Sequence, residues 1–313
     1  MARTKHRQKT NANKVKAILL CIAVIIALFL HFFPHLRATL SNYFPFIEPP
    51  RQATPVTGDL DIHFLDVGQG DSTLILTPEG KAMLIDTGES SEKEFLIEYI
   101  RSANIETLDY LVLTHPHTDH MGGASAILEA FDVKTVMMPD AESNTTTFLR
   151  LLETIDNENC NVIIPKVKDT YNLGTAIITC LGPVTQYEDL NDMSLVLRLD
   201  YGSTSFLFTG DAEAPAEQDM MKAHSPMAFS ADVLKLGHHG SSTSTTKAFL
   251  AAVSPTFAIA SCGENNEYGH PHTEILSAMK GANVTLLRTD LDGTVILTSN
   301  GSKVTRLDTS THS

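Results

Sequence analysis

The segment LVLTHPHTDHMGGA places His115, His117, Asp119 and His120 within six positions, directly after the apolar run 110–114. Imidazole and carboxylate are the groups by which proteins hold zinc, manganese or iron. Four such side chains this close along the chain cannot all reach one ion without severe strain. They can serve two neighbouring ions, with His115 and His117 turned to one and Asp119 and His120 to the other. Gly122 and Gly123 let the next helix begin close to those ions. A merely polar loop would require five of the eight residues 115–122 to be coincidental.

Other apolar runs also end in groups able to do chemistry. IDTG supplies Asp86, FLFTGD supplies Asp211, and LKLGHHGSS supplies His238 and His239. For Asp86 the plain alternative is a helix cap or turn. Asp211 closes a continuous apolar run, where a lone carboxylate is costly unless it is paired or bound to metal. His238 and His239 cannot both face one way along a continuing strand, so one is expected to be a ligand and the other to pack or bind substrate. YGHPHTEIL offers His270 and His272 before a helix, or else two surface histidines. DVGQGDS, with Asp66, Gln69 and Asp71, is expected to frame the site, with turn and cap roles as the alternative for its two aspartates.

These residues need a scaffold, and the pattern predicts one. Short β-rich runs (LDIHFLDVG, STLILT, AMLIDTG, YLVLTH, TVMMP, NVIIP, AIITCLG, SLVLRLDYG, TSFLFTGD, DVLKLG, FAIASCG, NVTLLR, GTVILTSNG) alternate with candidate helices at 122–131, 145–156, 214–223, 246–253 and 273–280. Ser91 and Glu94 have capping-box spacing before a further helix. About a dozen strands interleaved with helices imply sheets covered by helices, an α/β (α+β layered) domain over 59–313. At 42% apolar and 19% charged, the 313-residue chain is not a disordered one. Cys21, Cys160, Cys180 and Cys262 form no CxxC pair and are expected to stay unbridged.

The two ends differ in kind. Residues 1–16 carry six basic residues and no acid, and are expected to be a cytoplasmic tail. An apolar run then makes 17–36 a candidate single-pass transmembrane anchor, with a cleaved signal peptide as the alternative. Residues 37–58, with Pro45, Pro49, Pro50 and Pro55, are expected to be a tether to an extracytoplasmic body. That body, 59–313, has 15 basic and 36 acidic residues, a formal balance of −21. Such a charge argues against a broad nucleic-acid-binding face unless metal ions supply positive charge.

The order H-x-H-x-D-H after a strand, an earlier strand-end Asp, a later TGD and a still later His resembles the metallo-β-lactamase superfamily. HFLDVGQGDSTLI, NDMSLVLRLDYGSTSFLFTGD, LKLGHHGSS and YGHPH resemble the hydrolase domain of ComEC-type DNA-uptake proteins. The resemblance implies an αββα sandwich with two divalent ions, Zn2+ or Mn2+ with Fe2+ as a further choice, at its edge. It implies His115 and His117 on the first ion, Asp119, His120 and His238 on the second, and Asp211 between them. Asp86, with Asp66, would stand behind the ligands. Asp119, His270 and His272 would act on the substrate, and His239, Gly240, Ser241 and Ser242 would bind it, the backbone amides of 240–242 holding a phosphate. One departure is that no histidine occurs from 121 to 210, so Asn191, Asp192, Ser194 or water would take the place of a ligand many members have there. The activity implied is a membrane-anchored phosphodiesterase or nuclease acting on a phosphodiester such as DNA, with any channel provided by a separate membrane protein. The alternatives are a hydrolase of lactones, β-lactams or thioesters, and a noncatalytic metal-binding module.

Overall fold

A computed structural model describes residues 57–307. The expected tail 1–16, the anchor 17–36 and the tether as far as residue 56 lie outside the described residues. Among the described residues, no helix is long and apolar enough to cross a membrane.

Two mixed sheets carry the site. The eight-stranded sheet runs Val304–Arg306, Val295–Ser299, Leu60–Phe64, Thr73–Leu76, Ala82–Ile85, Tyr110–Val112, Thr135–Met137, Asn161–Ile163 from edge to edge. It is antiparallel up to Ala82–Ile85 and parallel beyond. The seven-stranded sheet runs Thr285–Arg288, Phe257–Ala260, Val233–Lys235, Thr204–Phe208, Val196–Tyr201, Ala176–Gly182, Thr170–Leu173. Here the first four strands are parallel and the rest antiparallel.

The strands alternate because each sheet has two covered faces. Ile62, Phe64 and Ile75 face a shared core that also contains Leu199, Tyr201 and Phe206 of the other sheet. Their neighbours Leu65 and Leu74 join a second core beneath the helices Lys93–Ser102, Ala124–Ala130 and Thr146–Asn157. A third core lies between the outer face of the seven-stranded sheet and the helices Ala214–Ala223, Lys247–Val253 and Thr273–Gly281. The layers are therefore α, β, β, α, as expected.

Thr145 and Thr246 cap their helices by accepting the amides of Phe148 and Phe249. The capping box at Ser91 does not form; Ser90–Glu92 is a 3-10 turn, and Ser91 Oγ donates to the Glu92 carboxylate instead. The helix expected at 122–131 is interrupted, giving Thr118–Met121 and Ala124–Ala130. At the break, a Cβ on Gly122 would lie 2.5 Å from Ser90 N, so the segment after Asp86 can approach only because that residue is glycine. Cys160, Cys180 and Cys262 are free thiols.

Candidate metal centre

In parallel stretches of sheet, chain segments that leave the carboxyl ends of the strands converge, and that is where α/β proteins place ligands. Ala82–Ile85 leads to Asp86, Tyr110–Val112 to His115, Thr204–Phe208 to Asp211, and Val233–Lys235 to His238 and His239. Asp86 adopts a left-handed conformation (φ 59°), pinned by its amide donating to Val112 O at 2.8 Å. Its carboxylate accepts the Thr114 amide and hydroxyl, both at 2.7 Å, and lies 2.9 Å from His120 Nδ1. The His120 tautomer is thereby fixed with Nε2 turned away from Asp86. On the other flank, His115 Nδ1 is met by the hydroxyls of Thr114 at 3.2 Å and Ser194 at 3.3 Å, while its Nε2 lies 2.9 Å from His117 Nδ1.

Asp211, 2% exposed, is the hub. Its carboxylate oxygens lie 3.2 Å from His120 Nε2, 3.5 Å from His239 Nε2, 3.8 Å from His238 Nε2 and 3.9 Å from His115 Nε2. His120 Nε2 and Asp211 Oδ1 approach one another outside hydrogen-bonding geometry, and both are buried without a hydrogen-bond partner. A native interior rarely leaves such atoms unsatisfied. A divalent cation held by these nitrogen and oxygen donors would satisfy both, so the residues fit the metals the sequence implies. The electrostatics agree. Burial favours neutral imidazole, yet Asp211, Asp119 and Asp86 raise His120 well above its ordinary value. Against the same burial, Asp211 and Asp71, with a hydrogen bond to Asp119, raise His239 to about 10. Burial pushes Asp211 up as well, but His120 and His239 hold its carboxyl well below the usual range.

The adjacent histidines do not follow a continuing strand. After Lys235 the chain makes a turn in which His238 (φ 48°), His239 (φ 56°) and Gly240 (φ 86°) are all left-handed, splaying the two rings 5.9 Å apart. Two consecutive non-glycine residues in this region are strained, a feature that concentrates at functional sites. The two rings therefore have different surroundings. His239 Nδ1 donates to Ser261 O at 3.0 Å, leaving Nε2 facing Asp119 Oδ2 at 3.1 Å. His239 groups with His120, Asp211 and Asp71, whereas His238 Nδ1 is held by Glu213 at 2.8 Å and stands outside that group.

Other expectations also change. Asp66 is exposed and accepts the Gly68 amide in a turn, while Asp71, five residues on, is buried against Lys235 at 2.7 Å. The amides of Ser241 and Ser242 donate to His238 O and His272 Nδ1 because the turn closes on itself, so neither is free for a phosphate. Gly240 serves sterically, since a Cβ there would lie 2.6 Å from Pro271 Cβ. His272 spends both nitrogens structurally, its Nε2 reaching Tyr268 O at 3.0 Å. His270 stacks near His239 at 6.0 Å and keeps Nδ1 buried without a partner. In the segment lacking a histidine, Asp192 accepts the Glu213 and Ala216 amides at the start of Ala214–Ala223, and Asn191 donates to Glu213. Ser194 alone of the three reaches the centre, linking His115 to the Asp211 amide at 2.9 Å. Sequence reasoning missed Glu213 and Lys235. Lys235 had a signal, a lysine inside an apolar strand.

Comparison with known proteins identifies the family. The family model of the metallo-beta-lactamase superfamily matches residues 65–264. The chain belongs to that superfamily. Within it, ComE operon protein 3 of Bacillus subtilis is 33% identical over 253 residues, which cover 75% of this chain and 32% of the relative. Recombination protein 2 of Haemophilus influenzae is 35% identical over 69% of this chain and 26% of its own length. Competence protein ComA of Neisseria gonorrhoeae is 30% identical over 73% and 30%. The chain is thus a superfamily member related to competence proteins, and it spans about a third or less of these relatives. CmlA, a diiron beta-hydroxylase from Streptomyces venezuelae, shares the fold at a TM-score of 0.51 with 14% identity, over 83% of this chain and 55% of that one.

Proposed function

We propose that this metallo-hydrolase is a phosphodiesterase or nuclease with two divalent ions, Zn2+ or Mn2+, carried outside the cytoplasmic membrane by residues 17–36. The observation that carries the reading is the Asp211 carboxylate, buried among four histidines with Oδ1 and the facing His120 Nε2 unsatisfied. When bound, such a pair of ions supplies a nucleophile near neutral pH and takes up charge on a phosphoryl oxygen. In this reading, His115, His117 and Asp211 hold one ion, and Asp119, His120, His239 and Asp211 hold the other. Asp86 and Ser194 orient His120 and His115. Glu213 holds His238 at the mouth, oriented toward Asp211. His270, with Nδ1 unpartnered and its pKa lowered to about 4 by burial and the neighbouring imidazoles, is neutral and placed to hydrogen-bond a phosphoryl or leaving oxygen. His272 instead holds the Ser242 turn.

The relatives' names point to DNA handling, and the chain's own charge limits how. A body of formal balance −21 attracts a long polyanion weakly, so DNA binding would depend on the ions and on ionic strength and lack sequence preference. A short phosphodiester needs only the centre itself.

The test is hydrolysis by the full chain, supplied in turn with Mn2+, Zn2+ and Fe2+, of bis-p-nitrophenyl phosphate, single- and double-stranded DNA, a lactone, a thioester and nitrocefin. Metal-dependent cleavage of the phosphodiesters is expected. Efficient β-lactam or thioester hydrolysis without phosphodiesterase activity would transfer the site to acyl chemistry. For the topology, a reporter fused after residue 313 should be active only outside the cytoplasm.

A further inference from the structure

The loop DVGQGDS contains a buried charge that metal binding as described does not use. Asp71 is 4% exposed, and its Oδ2 lies 2.7 Å from Nζ of Lys235, itself 3% exposed at the end of a central strand of the other sheet. Asp71 Oδ1 lies 3.2 Å from His239 Nδ1, the ring nitrogen remote from the metal centre; because that nitrogen gives its hydrogen to Ser261 O, the oxygen stands beside the ring buried and without a hydrogen bond. The loop is pinned from several sides. The Asp71 amide donates to Asp119 O at 3.1 Å, Asp71 O accepts the Gly88 amide at 2.8 Å, and a Cβ on Gly70 would lie 2.4 Å from Asp119 O. Asp71 therefore touches two proposed ligands, Asp119 through its backbone and His239 through its side chain.

Resting on the metal-centre reading above, we propose that the Asp71–Lys235 ion pair is a positioning device for His239. Lys235 fixes the Asp71 carboxylate, and the carboxylate lies behind the imidazole with Nε2 on the opposite side. The hydrogen bond that fixes the ring's tautomer goes to Ser261 O, and the Asp71 charge on the same side favours the ring with that hydrogen in place and raises its basicity toward a cation. Asp71 lies close enough to His120, Asp211 and His239 to be taken for a fourth ligand, but one of its oxygens is committed to Lys235 and the other faces the far nitrogen of His239. Because Asp71 and Lys235 come from different sheets, the pair also makes cation affinity depend on how the sheets meet.

The experiment is titration of Mn2+ into the metal-free full chain, with free Mn2+ read by electron paramagnetic resonance, alongside thermal unfolding. Asp71→Asn should weaken binding by about 10- to 100-fold with the same number of ions bound at saturation. Since Asp71→Asn leaves Lys235 buried and unpaired and is liable to misfold, the deciding variant is Asp71→Asn with Lys235→Met. Removing both buried charges together is commonly tolerated where removing one is not. The double variant should regain much of the melting temperature and keep the weakened affinity. Wild-type affinity in the double variant would overturn the proposal in favour of a purely structural pair. One ion fewer at saturation would overturn it in favour of Asp71 as a ligand. A wild-type chain that binds no Mn2+ would fail the metal-centre reading itself, and this inference with it.

Discussion

The two sheets contribute to one centre in different ways. The eight-stranded sheet delivers His115, His117, Asp119 and His120 from a single turn, with Asp86 behind them from the next strand. The seven-stranded sheet delivers Asp211, Glu213, His238, His239 and His270 from three separate segments spread over about sixty residues. On the first side, local chain geometry sets the ligands relative to one another. On the second, relative position depends on strand order, on consecutive left-handed residues and on hydrogen bonds such as His239 to Ser261 and His238 to Glu213. Asp211 joins the sides, since its carboxylate reaches histidines of both.

If that junction is what makes one site from two half-sites, Asp211→Ala should have the largest effect. Activity should fall well beyond the roughly 10- to 100-fold that losing an outer partner of a metal ligand costs. Bound metal, measured by elemental analysis of the folded protein, should fall with it. Full metal content in Asp211→Ala would mean that each half holds its ion alone.

Next in size is the difference between the adjacent histidines. His239→Ala should lower the number of ions bound, because its Nε2 faces Asp119 and Asp211. His238→Ala should keep both ions and lose activity, because its ring is tied to Glu213 at the mouth. The opposite pattern in metal content would restore the assignment of His238 as the ligand.

A third pair separates chemistry from scaffolding within YGHPH. His270→Gln should lower kcat by about 10²-fold, the lower end of what one hydrogen-bond donor to developing charge contributes, with metal content unchanged. His272→Ala should instead cost about 1 kcal/mol of stability through the loss of its hydrogen bonds to Ser242 and Tyr268, with kcat close to wild type. Equal kcat losses in the two variants would leave neither assigned as the group that meets the substrate.

The same contrast explains what was legible in the sequence. H-x-H-x-D-H could be read directly because its residues are neighbours in the chain as well as in space, and alternating apolar runs were enough for the layered fold. TGD was legible because a carboxylate closing an apolar strand needs a reason. Which of His238 and His239 faces the centre could not be read, since the answer lies in backbone dihedrals that two ordinary residues adopt only under the constraint of the surrounding fold. Glu213 lay two residues beyond a recognised aspartate with nothing to mark it. Lys235 was marked by its apolar neighbours, but its partner Asp71 lies 164 positions earlier in the chain. The amides of Ser241 and Ser242 looked available only because the acceptors that engage them come from the turn's own closure and from His272.

The smallest expected effect belongs to Asp66, which shares the DVGQGDS loop and the chemistry of Asp71. Charge and spacing do not distinguish the two aspartates, but burial does. Asp71 is enclosed and paired across the sheets, whereas Asp66 is exposed and makes a 3.3 Å bond to the Gly68 amide within its own turn. A solvated carboxylate in a local turn has little to lose, because water replaces the acceptor on the Gly68 amide. Asp66→Ala should therefore shift stability by no more than about 0.5 kcal/mol, as surface substitutions commonly do, and leave Mn2+ affinity and hydrolase activity near wild type. Denaturant unfolding of Asp66→Ala beside Asp71→Asn measures the difference between the two positions directly. If Asp66→Ala weakened metal binding as much as Asp71→Asn, the loop would be acting as one unit, and the distinction drawn from burial would fail.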